Sequence, residues 1–406
     1  MRLTQCITLH GTIFLSSLTL HGQGQQPPPQ VATENKPEAR PATPKFVDPN
    51  PALLYWQALS MLPDFRPAQV KVVNDVLEGV LPASDDSVTA LLATSRKALE
   101  RFARAAKGDQ PCVWGTTFDE GPFAPMPHLT KVQLLCRLAL VQVEAHYARG
   151  DQEEAIRWTS HVHRAARHIA AEPLIITVIM QHSVEQQALR LSARRAPVLD
   201  AFGREDLVKV LQKLPPLHTV RDALTGEHAM ADWIRHMVIG IQNNPENEQM
   251  VLEMARKFLE AQKQASAGAH SGQAGDALAS IEQWKQQAEQ ARVYQAKAEA
   301  ASVKPWKAFQ ADMQEIRGSL SGAGAVLKTS LPGLEGAMRK EFESKTLRAM
   351  LIAVLETKDG LREGEMRGTK DAFEEKPFVV IKKGEQWSIA TQEPVNGKPL
   401  ALRIGE

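Results

Sequence analysis

Residues 129–170 read LTKVQLLCRLALVQVEAHYARGDQEEAIRWTSHVHRAARHIA, and this run decides the class of fold. Its apolar side chains recur at intervals of three and four on both sides of Arg149-Gly150-Asp151. That is the period of a helix hiding one face, whereas a half-buried strand would alternate every second residue. A glycine and an aspartate between two such runs make a turn. The expectation is a pair of helices folded back on each other.

Within that run, AHYARGDQEEAI resembles the turn of a tetratricopeptide repeat. Tyr147 precedes the turn, Gly150 and Asp151 form it, and the small Ala155 lets the second helix pack closely. Val143 stands where that family has a small residue, and the closing proline comes late, at Pro173. The sequence holds no second copy at a period of about 34 residues, and a solenoid needs about three repeats. A single helical hairpin is therefore expected.

Outward from the hairpin the helical pattern continues. Pro51 suits a first helical position ahead of ALLYWQALSML, and Ser84 is placed to cap DDSVTALLATSRKALERFARAAK. After Pro173 come LIITVIMQHSVEQQALRLSARR, GREDLVKVLQKL, TVRDALTGEHAMADWIRHMVIGIQ and PENEQMVLEMARKFLEAQ, all helical. Residues 264–280 are poor in large apolar side chains and mark an insertion. IEQWKQQAEQARVYQAKAEA has only a thin apolar stripe, from Ile281, Trp284 and Tyr294, as an edge helix would. Beyond GSLSGAGAVLKTSLPG a last strong helix starts at Leu334. The period then changes: PFVVIKKGEQWSIAT reads as two strands about Lys383-Gly384, and KPLALRI as a third. The fold class is thus mainly α, an irregular helical bundle or array of hairpins with a small C-terminal β element.

At the other end, Met1–Gly24 holds one basic residue, the short apolar run CITLHGTIFLSSLTL and a small-residue exit, the layout of a secretory signal peptide. Residues 22–51 carry eight prolines and almost no large apolar side chains, too little to offset ordering entropy. The expected organisation is a signal peptide at 1–24, a Pro-rich tether at 25–50 and a helical domain at 51–264. A helical extension at 265–370 and a β element at 371–406 follow. The product would be exported, periplasmic or extracellular, with no stable membrane span after signal cleavage. Cys112 and Cys136 then remain. In an oxidising compartment they are a disulfide candidate, worth about 3 kcal/mol for a loop of this length. A buried free thiol at Cys136 packs equally well.

PALLYWQALSMLP, CVWG with GPFAPMPHL, ARHIAAEPLI and DAFEEKPFVVIKKGEQWSIAT together resemble a group of uncharacterised secreted bacterial helical proteins. The tail also resembles the D-P-F-x-G-K-P-L ending of pseudopilin-like proteins, with Ala372 in place of its proline and Glu375 in place of its glycine. The resemblance implies export and a helical fold, and attachment to a secretion or pilus system. It implies no reaction.

Forty-eight basic residues against 47 acidic ones leave no net field to favour nucleic acid. Catalytic motifs are equally thin. GSLSG at 318–322 puts leucine where a nucleophilic serine belongs, and no S-x-x-K, phosphate loop or H-E-x-x-H occurs. His161 and His168 lie about 10 Å apart along a helix, too far to share one zinc, and His163 points away from both. His228, Asp232 and His236 recur every four residues and stack on one helix face. They define either a salt-bridged polar face or a metal-dependent hydrolase completed by His182 or Glu185. The loop GDQPCVWGTTFDEGPFAPMP is the last candidate. Trp114, Phe118, Asp119, Glu120 and Phe123 would either line a partner groove or plug the end of the bundle. Cys112 with His128 is a weaker nucleophile candidate. The expectation is a non-catalytic envelope protein with no cofactor, which binds a protein partner through helical grooves or this aromatic loop.

Overall fold

The computed structural model describes residues 49–108, 110–117, 126–228, 232, 281–319, 325–357, 360–395 and 397–405. The expected signal peptide, nearly all of the expected tether, the helix expected at 245–262 and the insertion expected at 264–280 lie outside them. Helices α1 (Pro51–Met61), α2 (Pro67–Leu77) and α3 (Asp86–Lys107) come first, then the hairpin α4 (His128–Ala148) and α5 (Gln152–Ile169). Next are α6 (Ile175–Arg195), a 3-10 turn (Ala196–Val198) and α7 (Ala201–Lys213). Residues 220–228 are helical, and α8 (Ile281–Ser302), α9 (Trp306–Ser319) and α10 (Ala325–Glu356) follow. The chain closes in β1 (Gly364–Lys370), β2 (Pro377–Lys383), β3 (Gln386–Val395) and β4 (Lys398–Ile404), an antiparallel meander in the order β1-β2-β3-β4. The mainly helical class with a small C-terminal sheet is the observed one.

The α4–α5 hairpin forms on the signals that predicted it. Gly150 has φ +77°, a left-handed conformation that glycine takes at little cost, and Asp151 accepts a hydrogen bond from the Glu154 amide at 3.3 Å. Ala155 is fully buried, which lets α5 approach α4. Other boundaries moved. Asp85, not Ser84, caps α3, its carboxylate accepting from the Ser87 amide at 2.8 Å. The last helix begins at Ala325, nine residues before Leu334, and runs through Pro332; the later turns of this 32-residue helix override the local breakers. The sheet begins at Gly364 rather than at 371. β1, GEMRGTK, has few apolar side chains because it is an edge strand, and its pairing with β2 shifts register between Met366 and Lys370.

Three apolar cores form among the described residues. One joins α1 to α6 around Tyr55, Phe102 and Leu138. A second gathers Val220, Phe309, Met313, Phe342 and Phe373. The third seats Phe378, Ile389 and Leu402 of the sheet on Leu189 of α6, Leu207 of α7 and Leu351 of α10. Helix α6 contributes to all three, through Val184, Val178 and Leu189. Among the described residues no helix is long and apolar enough to cross a membrane.

Candidate functional site

Trp114 belongs to the core rather than to an open groove. Its side chain is 5% exposed, stacked on His128 with ring centroids 4.3 Å apart and on Tyr55 at 5.4 Å. Its indole donates to the His168 carbonyl at 2.7 Å, and Tyr55 Oη lies 2.9 Å from His168 Nδ1. On the N-terminal side the Asn50 side chain brackets Val113, donating to its carbonyl at 2.7 Å and accepting from its amide at 3.0 Å. The Thr116 amide donates to Glu172 at 3.2 Å. Residues 112–116 are thus clamped to α1 and to the end of α5, and Trp114 plugs the bundle. Phe118, Asp119, Glu120 and Phe123 lie outside the described residues. Trp56, which the sequence reading did not single out, is the partly exposed aromatic here, at 38%.

Cys112 and Cys136 are buried and unbridged. Burial, with a smaller effect of Glu172, pushes the Cys112 thiol up to about 12, and burial also raises Cys136. Burial lowers His128 to about 4. A buried thiol held protonated, and an imidazole this weak as a base, oppose the Cys112 nucleophile reading.

The histidines of α5 take three separate environments. His168 belongs to the Trp114 cluster, and His161 packs edge-on to Trp158 with centroids 5.7 Å apart. His163 is fully buried, with Nδ1 2.7 Å from Glu185 Oε2. Arg167, one turn on, donates to the same Oε2 at 2.8 Å and through Nε to the Pro215 carbonyl at 2.7 Å. Burial pushes Glu185 up, but the charges of His163 and Arg167 and their hydrogen bonds outweigh it, so the carboxyl lies well below the usual carboxylate range. This network pins α5 to α6 and to the chain after α7. Sequence spacing gave no sign of it, because its members come from three elements.

Glu185 is therefore engaged and does not serve as a completing metal ligand. His182 is fully buried with no hydrogen-bond partner on either ring nitrogen, and burial lowers it to about 3. His228 is half-buried, Asp232 exposed, and His236 lies outside the described residues. Among the described residues no three His, Cys, Asp or Glu side chains are grouped to hold a metal ion.

An open groove of about 400 Å³ between α3 and the α4–α5 hairpin carries recognition chemistry. Leu92, Arg96 and Glu100 form one wall, and His146, Arg149 and Trp158 the other. His146 is held by Gln142 at 2.9 Å and by Asp151 at 3.2 Å, so the hairpin turn fixes the imidazole. A half-buried indole flanked by a basic and an acidic side chain on rigid helices makes a surface suited to a peptide segment. No family model, no curated protein and no solved structure matches this chain.

Proposed function

We propose that this is a non-catalytic, exported helical protein that binds a protein partner in the cell envelope through the groove between α3 and the α4–α5 hairpin. The observation that carries the reading is Trp158 in that groove beside Arg96, Glu100 and Arg149. Large aromatic and arginine side chains dominate binding energy where they are held rigid. The sealing of His163, Glu185 and His182 inside the bundle adds support, since a group that does chemistry must reach a substrate. Site-specific photo-crosslinking in the native host, from a benzophenone amino acid at the exposed position 93 in the same groove, tests it. One discrete envelope-protein adduct is expected, lost in Trp158→Ala and kept in Lys398→Gln on the far sheet. No adduct, or one indifferent to Trp158, would overturn the groove as the docking surface.

A second reading, an accessory protein of a secretion or pilus system, is favoured by one observation. Glu375 has φ +55°, the backbone conformation of a glycine, at the position where the pseudopilin-like tail has one. Identification of the crosslinked partner as an assembly component would support it, and any other partner would discard it.

A further inference from the structure

Between α6 and β4 lies a second cleft, of about 260 Å³. Arg190 and Arg194 stand one turn apart on α6, Arg403 projects from β4, and Leu77, Leu140 and Leu191 form an apolar floor. Arg190 is tied to the sheet through its hydrogen bond to the Ala401 carbonyl at 3.1 Å. Arg194 is held by Glu144 Oε1 at 3.0 Å, and its Nη1 rests against Gly79, whose φ is +76°. A Cβ built on Gly79 would come within 3.2 Å of that nitrogen, so the glycine makes room for the guanidinium.

Charge in this cleft is not balanced. Glu144 is already divided between Arg194 and Arg195, the latter at 2.6 Å. Glu343 acts on Arg190 from a distance and is itself 3.9 Å from Arg339. Arg403 has no acidic partner among the described residues. The whole chain is nearly neutral, at +1, so the excess is local. Guanidinium edges on two walls above three leucines define the complement: a planar oxyanion above a short apolar body.

We infer that the Arg190–Arg194–Arg403 cleft is a binding site for a small amphiphilic carboxylate, with one carboxylate head between the arginines and an apolar body of a few carbons on Leu77, Leu140 and Leu191. The cleft is smaller than the pockets of about 300–1,000 Å³ that take drug-sized ligands, which restricts it to a short-chain acid or the last residue of a peptide. The site is independent of the groove on α3–α5.

Isothermal titration of the full chain with hexanoate, hexanol and an acetyl-capped leucine carrying a free carboxylate tests the assignment. The expected result is saturable, salt-sensitive, single-site binding of both acids and none of hexanol. Tighter binding of hexanoate marks a free short-chain acid as the source, and tighter binding of the capped leucine marks a peptide terminus. Arg403→Gln, at an exposed position on β4 that buries nothing, should weaken binding about tenfold. Lys398→Gln on the same strand removes the same charge outside the cleft and should leave binding unchanged. Equal weakening by the two variants would reduce the effect to diffuse charge, equal binding of hexanol would reduce it to an apolar crevice, and no saturable binding of either acid would remove the site; each overturns the inference.

Discussion

Glu375 is the one non-glycine residue among the described ones with a positive φ, and its side chain is exposed at the turn between β1 and β2. Asp371 builds that turn, its Oδ1 accepting from the Phe373 amide at 2.8 Å and the Glu374 amide at 2.6 Å, while Phe373 enters the core against Trp306. A Cβ in the left-handed region costs about 1 kcal/mol, and an exposed Glu375 side chain brings no packing to offset it. Glu375→Gly should therefore stabilise the fold by about 0.5–1 kcal/mol, read as a higher denaturant midpoint at unchanged slope. A lower midpoint would mean that the turn is not strained. His182 offers a second test. Its pKa is about 3 in the fold and near 6.5 unfolded, so as pH falls below 6.5 the unfolded chain takes up a proton that the fold refuses. Stability is then lost between pH 6.5 and about 3, by at most about 1.4 kcal/mol per pH unit, and above 6.5 the group has no effect. His128 and His161, each lowered to about 4 chiefly by burial, act in the same direction. His182→Leu removes two unpartnered ring nitrogens as well as the titration. It should hold or raise stability at pH 7 by about 1 kcal/mol and flatten the acid limb of a midpoint-against-pH curve. An unchanged acid slope would show that His182 protonates freely in the fold.

At the scale of elements, the α4–α5 hairpin was the most legible part of the sequence because everything that makes it is local. Period, turn glycine and small packing residue all fall within residues 129–170 and take the places expected of them, and the turn residue Asp151 also caps α5. Gly150 can be isolated, since a Cβ there meets nothing within 4 Å and only the backbone conformation objects. Gly150→Ala should cost about 1 kcal/mol in thermal or denaturant unfolding, and Gly150→Asn less, because asparagine tolerates the left-handed region better. Equal costs would point instead to a lost contact. Legibility fails where an element depends on a distant partner. β1 exists because β2 pairs with it, through Glu365 opposite Val379 and Met366 opposite Phe378, and its own sequence has almost no strand pattern. The same holds for the candidate sites. Trp114 was visible as an aromatic in a long loop, but only the stacking on Tyr55 and His128 shows that it plugs the bundle. Arg190 and Arg403 are more than two hundred residues apart in the chain, and no spacing rule joins them into a cleft.

For the whole molecule, the decisive fact is that α6 takes part in all three cores while α10 bridges two of them. Lys345 of α10 pairs with Glu341, whose other oxygen accepts from the Val220 amide at 2.8 Å, and farther along the same helix Leu351 meets Phe378 of the sheet. The sheet is tied to α6 again by the Arg190 hydrogen bond and by the Gly405 amide, which donates to the Ala193 carbonyl at 3.4 Å. The sheet therefore shares apolar core with α6 and α10, and parting it from them would expose Phe378, Ile389 and Leu402. Phe378→Ala tests this directly. The ring is fully buried between strand and helices, and its removal should cost about 3–5 kcal/mol through lost burial and the cavity left behind. If the cores are coupled, the loss is shared. The far-ultraviolet signal, which reports mainly the helices, and the fluorine resonance of a single fluorotryptophan installed at position 387 on β3 should then fall together in one transition at a lower midpoint. If the sheet instead melts first while the helical signal holds its original midpoint, α6 and α10 do not transmit the damage, and the β element is a separable domain. Such a result would also remove Arg403 from the cleft on partial unfolding, so carboxylate binding and the sheet transition would disappear at the same denaturant concentration.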